Sequence, residues 1–126
     1  MNESANPQYW VVGASWGGSD HQDEEFVKNG LWMLGWEEGH QHESAKEMNI
    51  GDRIAIKRMR GKGQTGLLIR HVGIIKGVML DTSNIVCVVD WVAPYLDRVV
   101  SESRGCFKSI HGPYGHDEWV QEVFCL

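Results

Sequence analysis

The chain has 126 residues, with 42% hydrophobic and 23% charged side chains, a formal net charge of −5 and three cysteines. That length holds one core rather than two, and the composition excludes a disordered or fibrous chain. No apolar run reaches the roughly 20 residues of a membrane-spanning helix, and the opening Met-Asn-Glu-Ser-Ala-Asn lacks a signal peptide's basic and apolar regions. A single domain over residues 1–126, cytoplasmic and without a membrane partner, is the expectation.

Tyr9-Trp10-Val11-Val12-Gly13-Ala14 is aromatic and β-branched and reads as a first, buried strand. Asp20 is placed to cap a following helix, with Asp23, Glu24 and Glu25 in its first turn, Phe26 and Val27 inward and Gly30 at its end. Leu31 to Leu34 is a second apolar run, too short for a helix by itself. Glu37 to His42 is polar and reads as loop, and Ser44 to Met48 allows one or two helical turns before the Gly51-Asp52 turn. Three strands follow: Arg53 to Lys57, Leu67 to Lys76 and Ile85 to Trp91. The first two are joined by a hairpin over Gly61 to Gly66. Gly73 inside a strand suggests a bulge or a close backbone approach. Residues 97–116 read as largely irregular, with room for a short strand over Cys106-Phe107 and Ser109-Ile110, and Asp117 caps a final helix with Trp119, Val120, Val123 and Phe124 on one side. Strands in the middle and helices at the ends predict an α+β domain around a curved sheet.

The net charge conceals a segregation. Residues 1–50 hold nine acids against two bases, whereas Arg53, Lys57, Arg58, Arg60, Lys62, Arg70 and Lys76 follow one another without an intervening acid. Local potential steers an anionic ligand, so this stretch is a candidate phosphate-binding strip. Solubilising charge on a strand pair is the alternative. Cys87, Cys106 and Cys125 form no CxxC pair and read as free thiols.

Gly61-Lys62-Gly63-Gln64-Thr65-Gly66 matches GxGxxG, but a strand rather than a helix follows it, which argues against a dinucleotide fold. His40 and His42 with nearby glutamates, and His111 with His116, lack zinc-site spacing and read as loop histidines, so no metal is expected. No nucleophile elbow or metalloprotease pattern is present. A non-enzyme without a cofactor is therefore the expectation.

Of the six tryptophans, Trp10 and Trp119 fall on apolar faces. Trp16, Trp32 and Trp36 lie in or beside glycine-flanked connections, where an indole face is available to stack on a planar base. Ordinary packing is the alternative, and Trp91 fits either.

The order of Tyr-Trp-Val-Val-Gly-Ala-Ser-Trp (9–16), Glu-Phe-Val-Lys-Asn-Gly-Leu-Trp (25–32) and Asn-Ile-Gly-Asp-Arg-Ile-Ala-Ile-Lys (49–57) resembles an EVE-type domain of the PUA-like superfamily. Gly-Ile-Ile (73–75), Val-Val-Asp-Trp (88–91) and Ser-Ile-His-Gly-Pro-Tyr-Gly (109–115) agree with it. The resemblance covers about residues 8–125. It is nearest to the EVE-like domains of McrB-type modification-dependent restriction proteins and more distant to YTH domains, which read N6-methyladenosine. It implies a curved or barrel-like, mostly antiparallel sheet flanked by short helices, and a pocket that accepts an extruded modified base without catalysis.

On that resemblance Trp32 matches a YTH cage position, Ser15 and Trp16 the pocket rim, and Asp90 and Trp91 a strand near the pocket. The expected mechanism is recognition of modified DNA as part of a defence system. Trp16 and Trp32 would sandwich the base, Trp36 or Trp91 would close the slot, and Ser15 or Asp90 would read the polar edge. The basic strip would hold phosphates. An effector nuclease or NTPase would lie on another chain or a further segment. An RNA-binding domain and a protein-interaction domain without a base pocket are the alternatives.

Overall fold

The computed structural model describes residues 6–16, 20–34, 42–61, 63–80 and 85–125, without the side chain of His42. Nine strands lie among the described residues: β1 (Tyr9–Gly13), β2 (Ser15–Trp16), β3 (Asp20–His21), β4 (Leu31–Met33), β5 (Arg53–Met59), β6 (Leu67–Leu80), β7 (Ile85–Ala93), β8 (Arg98–Val100) and β9 (Ile110–Tyr114). Three short helices accompany them: α1 (Asp23–Asn29), α2 (His42–Ala45) and α3 (Glu118–Phe124).

Seven strands form one sheet in the order β4-β7-β6-β5-β1-β9, with β8 on β6, while β2 and β3 form a separate hairpin. Every pairing in the large sheet is antiparallel except β1 with β5, whose parallel register sets Tyr9 opposite Arg53. A parallel pair needs a crossover, and the segment carrying α1, β4 and α2 supplies it. The sheet is open, with β4 and β9 at its ends, so of the two expected forms the curved sheet is compatible and the closed barrel is not.

Strand alternation sorts the core into two layers. Trp10, Val12, Ile54, Ile56, Ile75, Cys87, Val89 and Trp91 pack with Phe26, Trp32, Ala45 and Met48 under α1 and α2. Val11, Ala55, Leu67, Ile69, Val72 and Val100 pack with Trp119, Val120 and Val123 under α3.

Several sequence expectations hold. Asp117 caps α3, its carboxylate accepting the Val120 N–H at 2.8 Å. Gly30 ends α1 in the left-handed region, with φ of 65°. Gly73 sits at a register shift between β6 and β7, where an added Cβ would lie 2.5 Å from Val89 and 2.9 Å from Trp91.

Others change. Asp20 belongs to β3, and the residue preceding α1 is Gln22, which makes no side-chain cap. The stretch read as irregular contains β8 and β9, because both obtain their pairing from distant strands: Leu67 opposite Val100, and Val12 opposite Ile110.

Candidate functional site

The tryptophans separate by the fate of the indole N–H. Trp10 donates to the buried Asp52 carboxylate at 3.0 Å, and Trp32 to the Gly13 carbonyl at 2.9 Å. Trp91 is shared between the carbonyls of Phe26 and Leu31, each at 3.3 Å, and Trp119 donates to the Glu102 carbonyl at 2.8 Å. A buried indole needs such an acceptor, and these four side chains are core. Trp16 differs: it is only partly buried, packs against the α1–α2 side core, and its indole N–H donates to no acceptor among the described residues. Its ring meets Phe26 edge-on at 6.1 Å.

The arrangement around Trp16 follows from two local pieces. The β2–β3 hairpin sets Trp16 opposite Asp20 and Ser15 opposite His21. The Ser15 hydroxyl and His21 Nδ1 lie 2.5 Å apart, on the face of the hairpin that strand alternation turns away from the Trp16 indole. Phe26, one turn into α1, supplies the aromatic backing. Trp32 and Trp91 belong to the same core cluster, so the structure gathers Trp16, Trp32 and Trp91 on one side of the sheet.

The sandwich expected of Trp16 and Trp32 is not formed, because Trp32 has no exposed surface and is tied by its N–H to Gly13. Its place is beneath the site. Asp90 is exposed, and strand alternation turns it away from the buried Val89 and Trp91, so it does not share their face. Trp36 and Lys62 lie outside the described residues.

The basic strip does not survive as one surface. Arg53 and Lys57 share the α3 side with Ala55, whereas Arg58 and Arg70 turn to α1. Asp23, 2% exposed, accepts Arg58 at 2.8 Å on Oδ1 and Arg70 at 2.9 Å on Oδ2, and Asp97 takes the other end of Arg70 at 2.5 Å. Lys57 is buried at 6% exposure. The absence of acids along the sequence therefore gives no run of unpaired cations, since the neutralising carboxylates come from α1 and from the turn after β7. Arg60 and Lys76 are exposed and make no ion pair among the described residues.

The Asp23 cluster was invisible to sequence reasoning, which placed Asp23 only in the first turn of a helix. In the pairing of β5 with β6, Ile56 faces His71 and Lys57 faces Ile69, leaving Arg70 as an extra residue. Such a bulge turns consecutive side chains to one side, and both Arg70 and His71 reach Asp23. His71 Nδ1 accepts the Tyr95 backbone N–H at 2.8 Å, so its proton sits on Nε2 and is donated to Asp23 at 2.7 Å. Burial pushes the His71 pKa down against the opposing pull of Asp23, which favours this neutral form. For Asp23 burial acts upward, but hydrogen bonds from His71 and Arg70 and the charges of Arg58 and Arg70 outweigh it and hold the carboxyl below its usual range.

Among the described residues no three His, Cys, Asp or Glu side chains converge as metal donors, and no helix is long and apolar enough to cross a membrane. His111 is half-buried and accepts the Lys108 N–H at 2.8 Å. Burial first, then the charges of Lys57 and Lys108, lower its pKa to about 4. Free thiols at Cys87, Cys106 and Cys125 agree with the sequence reading, and burial raises the Cys87 thiol to about 12.

No family model matches the chain, and no curated protein matches it. A solved structure of a hypothetical protein from Leishmania major is similar over 91% of this chain and 90% of its own, with a TM-score of 0.52 and 10% identity. At that identity the likeness shows the fold alone.

Proposed function

We propose that this chain is a non-catalytic reader of modified nucleic acid, DNA rather than RNA, with an EVE-type, PUA-like fold. The resemblance in the sequence motivates the reading, and the state of Trp16 supports it best. Trp16 is only partly buried, its indole N–H donates to no acceptor among the described residues, and it is backed by Phe26 and a tryptophan-rich core. An extruded base would stack on the indole, a contact of about 1–3 kcal/mol against an unstacking cost of a few kcal/mol. The Ser15–His21 pair ties together the two strands that carry Trp16, and the buried Trp32 and Trp91 belong to the core against which Trp16 packs. Trp36 stays the candidate for the opposite base face on sequence grounds alone. Arg60 and Lys76 are the strip residues suited to phosphate contact, a salt-dependent and sequence-independent contribution.

The test is a binding panel of DNA and RNA oligonucleotides, plain, methylated or hydroxymethylated, at two salt concentrations. Tighter binding to one modified DNA, weakened about tenfold by Trp16→Ala while plain DNA is unaffected, is the expected result. Equal affinity for all oligonucleotides, or indifference to Trp16→Ala, rejects the reading. Exposed Met79, Val88, Val92, Val99 and Phe107 favour a protein-interaction domain as the second reading, which failure to bind any oligonucleotide would leave standing.

A further inference from the structure

On the opposite side of the sheet from Trp16, α3 packs against β5 and β8 and leaves a gap towards Val92 of β7. The gap is a half-open groove of about 260 Å³. Val72, Ile74 and Val92 line it on the sheet side, and Val120 and Phe124 on the helix side. One end is preformed, since the Tyr9 ring packs edge-on against Phe124 at 5.0 Å and tilted against His116 at 6.0 Å. Within this lining Arg53 is the one residue of fixed charge. It is half-buried, donates to the Gly51 carbonyl, and makes no ion pair among the described residues.

We propose that this groove binds a small apolar monocarboxylate as a free molecule, with Arg53 receiving the carboxylate and the Val72–Val92–Phe124 walls receiving the hydrocarbon. Three observations select that ligand. A lone guanidinium in an apolar lining favours an anion and disfavours a cation, and its planar fork suits a carboxylate. One fixed positive charge matches one negative charge, whereas a phosphate dianion would be left half-compensated. The volume lies below the roughly 300–1,000 Å³ of drug-sized sites, which limits the occupant to one ring or a short chain.

The groove carries its own reporter. Cys125 lines it and is exposed, while Cys87 and Cys106 are buried. The experiment uses the full chain with phenylacetate and hexanoate, and with their uncharged amides as controls. Binding is followed by calorimetry and by the rate of Cys125 alkylation with iodoacetamide. Both acids should bind and slow alkylation, the amides should bind about tenfold more weakly, and Arg53→Gln should remove the difference. Val92→Trp, at a side chain 43% exposed, fills the groove without disturbing the core and should abolish binding in a chain that still folds. Equal binding of acids and amides, no binding of either at millimolar concentration, or unchanged binding in Val92→Trp overturns the proposal. Protection of Cys125 by a peptide ending in phenylalanine, with none from the free acids, also overturns it, in favour of a protein partner. None of these outcomes bears on the base-reading proposal, which concerns the other face.

Discussion

Asp23 and His71, 48 positions apart, meet at 2.7 Å with side chains 3% and 0% exposed. The contact ties the first turn of α1 to the bulge in β6. Because α1 also presents Phe26 to Trp16, the same cluster sets the position of the proposed base platform. It is a structural use of residues whose types, met in a sequence, suggest surface charge.

Asp23→Asn should therefore destabilise the protein by about 3 kcal/mol, the lower part of the range for removing one partner from a buried ion pair. The lower part applies because Arg58 is 27% exposed and can turn to water. Urea unfolding with an unchanged m-value measures it, and a loss under about 0.5 kcal/mol, the level of an ordinary surface substitution, would contradict the role.

Acid should weaken the fold in two stages. His71 and His111 have folded pKa values lowered by burial, so the unfolded chain binds more protons as pH falls below the ordinary histidine value of about 6.5. Their contribution is complete above that value and declines as pH falls towards their folded values. The Asp23 carboxyl adds a second loss at lower pH, since its depressed pKa gives stability present above its unfolded value and lost as it protonates. Urea midpoints between pH 7 and pH 5 should fall in wild type and fall less in His71→Gln or His111→Gln.

Trp16 and Trp32 should part company. Trp32→Ala removes a fully buried indole and should cost about 3–5 kcal/mol of stability, with any loss of nucleic-acid binding following from unfolding. Trp16→Ala should cost far less stability and act on modified-base preference. Paired thermal unfolding and oligonucleotide titration of the two variants separates a platform residue from a core residue.

Gly73→Ala places a methyl group 2.5 Å from Val89 and 2.8 Å from the Asp90 carbonyl, so β6 and β7 must move apart. Overpacking of this kind costs about 1–3 kcal/mol. Gly115→Ala, where an added Cβ meets nothing within 4 Å, serves as the control and should change the unfolding midpoint little.

The main strands were legible because their apolar alternation is local: β1, β5, β6 and β7 all lie where the pattern puts them, and α3 starts at its Asp117 cap. β8 was not legible and β9 only at its start, where Ser109-Ile110 allowed a short strand, since Arg98–Val100 and Ile110–Tyr114 become strands by pairing with β6 and β1. The candidate site divides the same way. Residue type singled out Trp16 and the resemblance singled out Ser15, but neither His21, the polar partner of Ser15, nor the backing ring Phe26 carried a sequence signal for that role.

What the sequence determined by itself was the kind of molecule: an α+β order of elements, free thiols and a tryptophan-rich composition. These depend on composition and on periodicities a few residues long. Which cations face solvent, which indoles are exposed and which carboxylates are buried belonged to the tertiary structure alone. The seven bases from Arg53 to Lys76 show why. Charge along a chain is one-dimensional, whereas electrostatic energy depends on distance in space, and Asp23 arrives beside Arg58 and Arg70 from a helix 35 and 47 positions away.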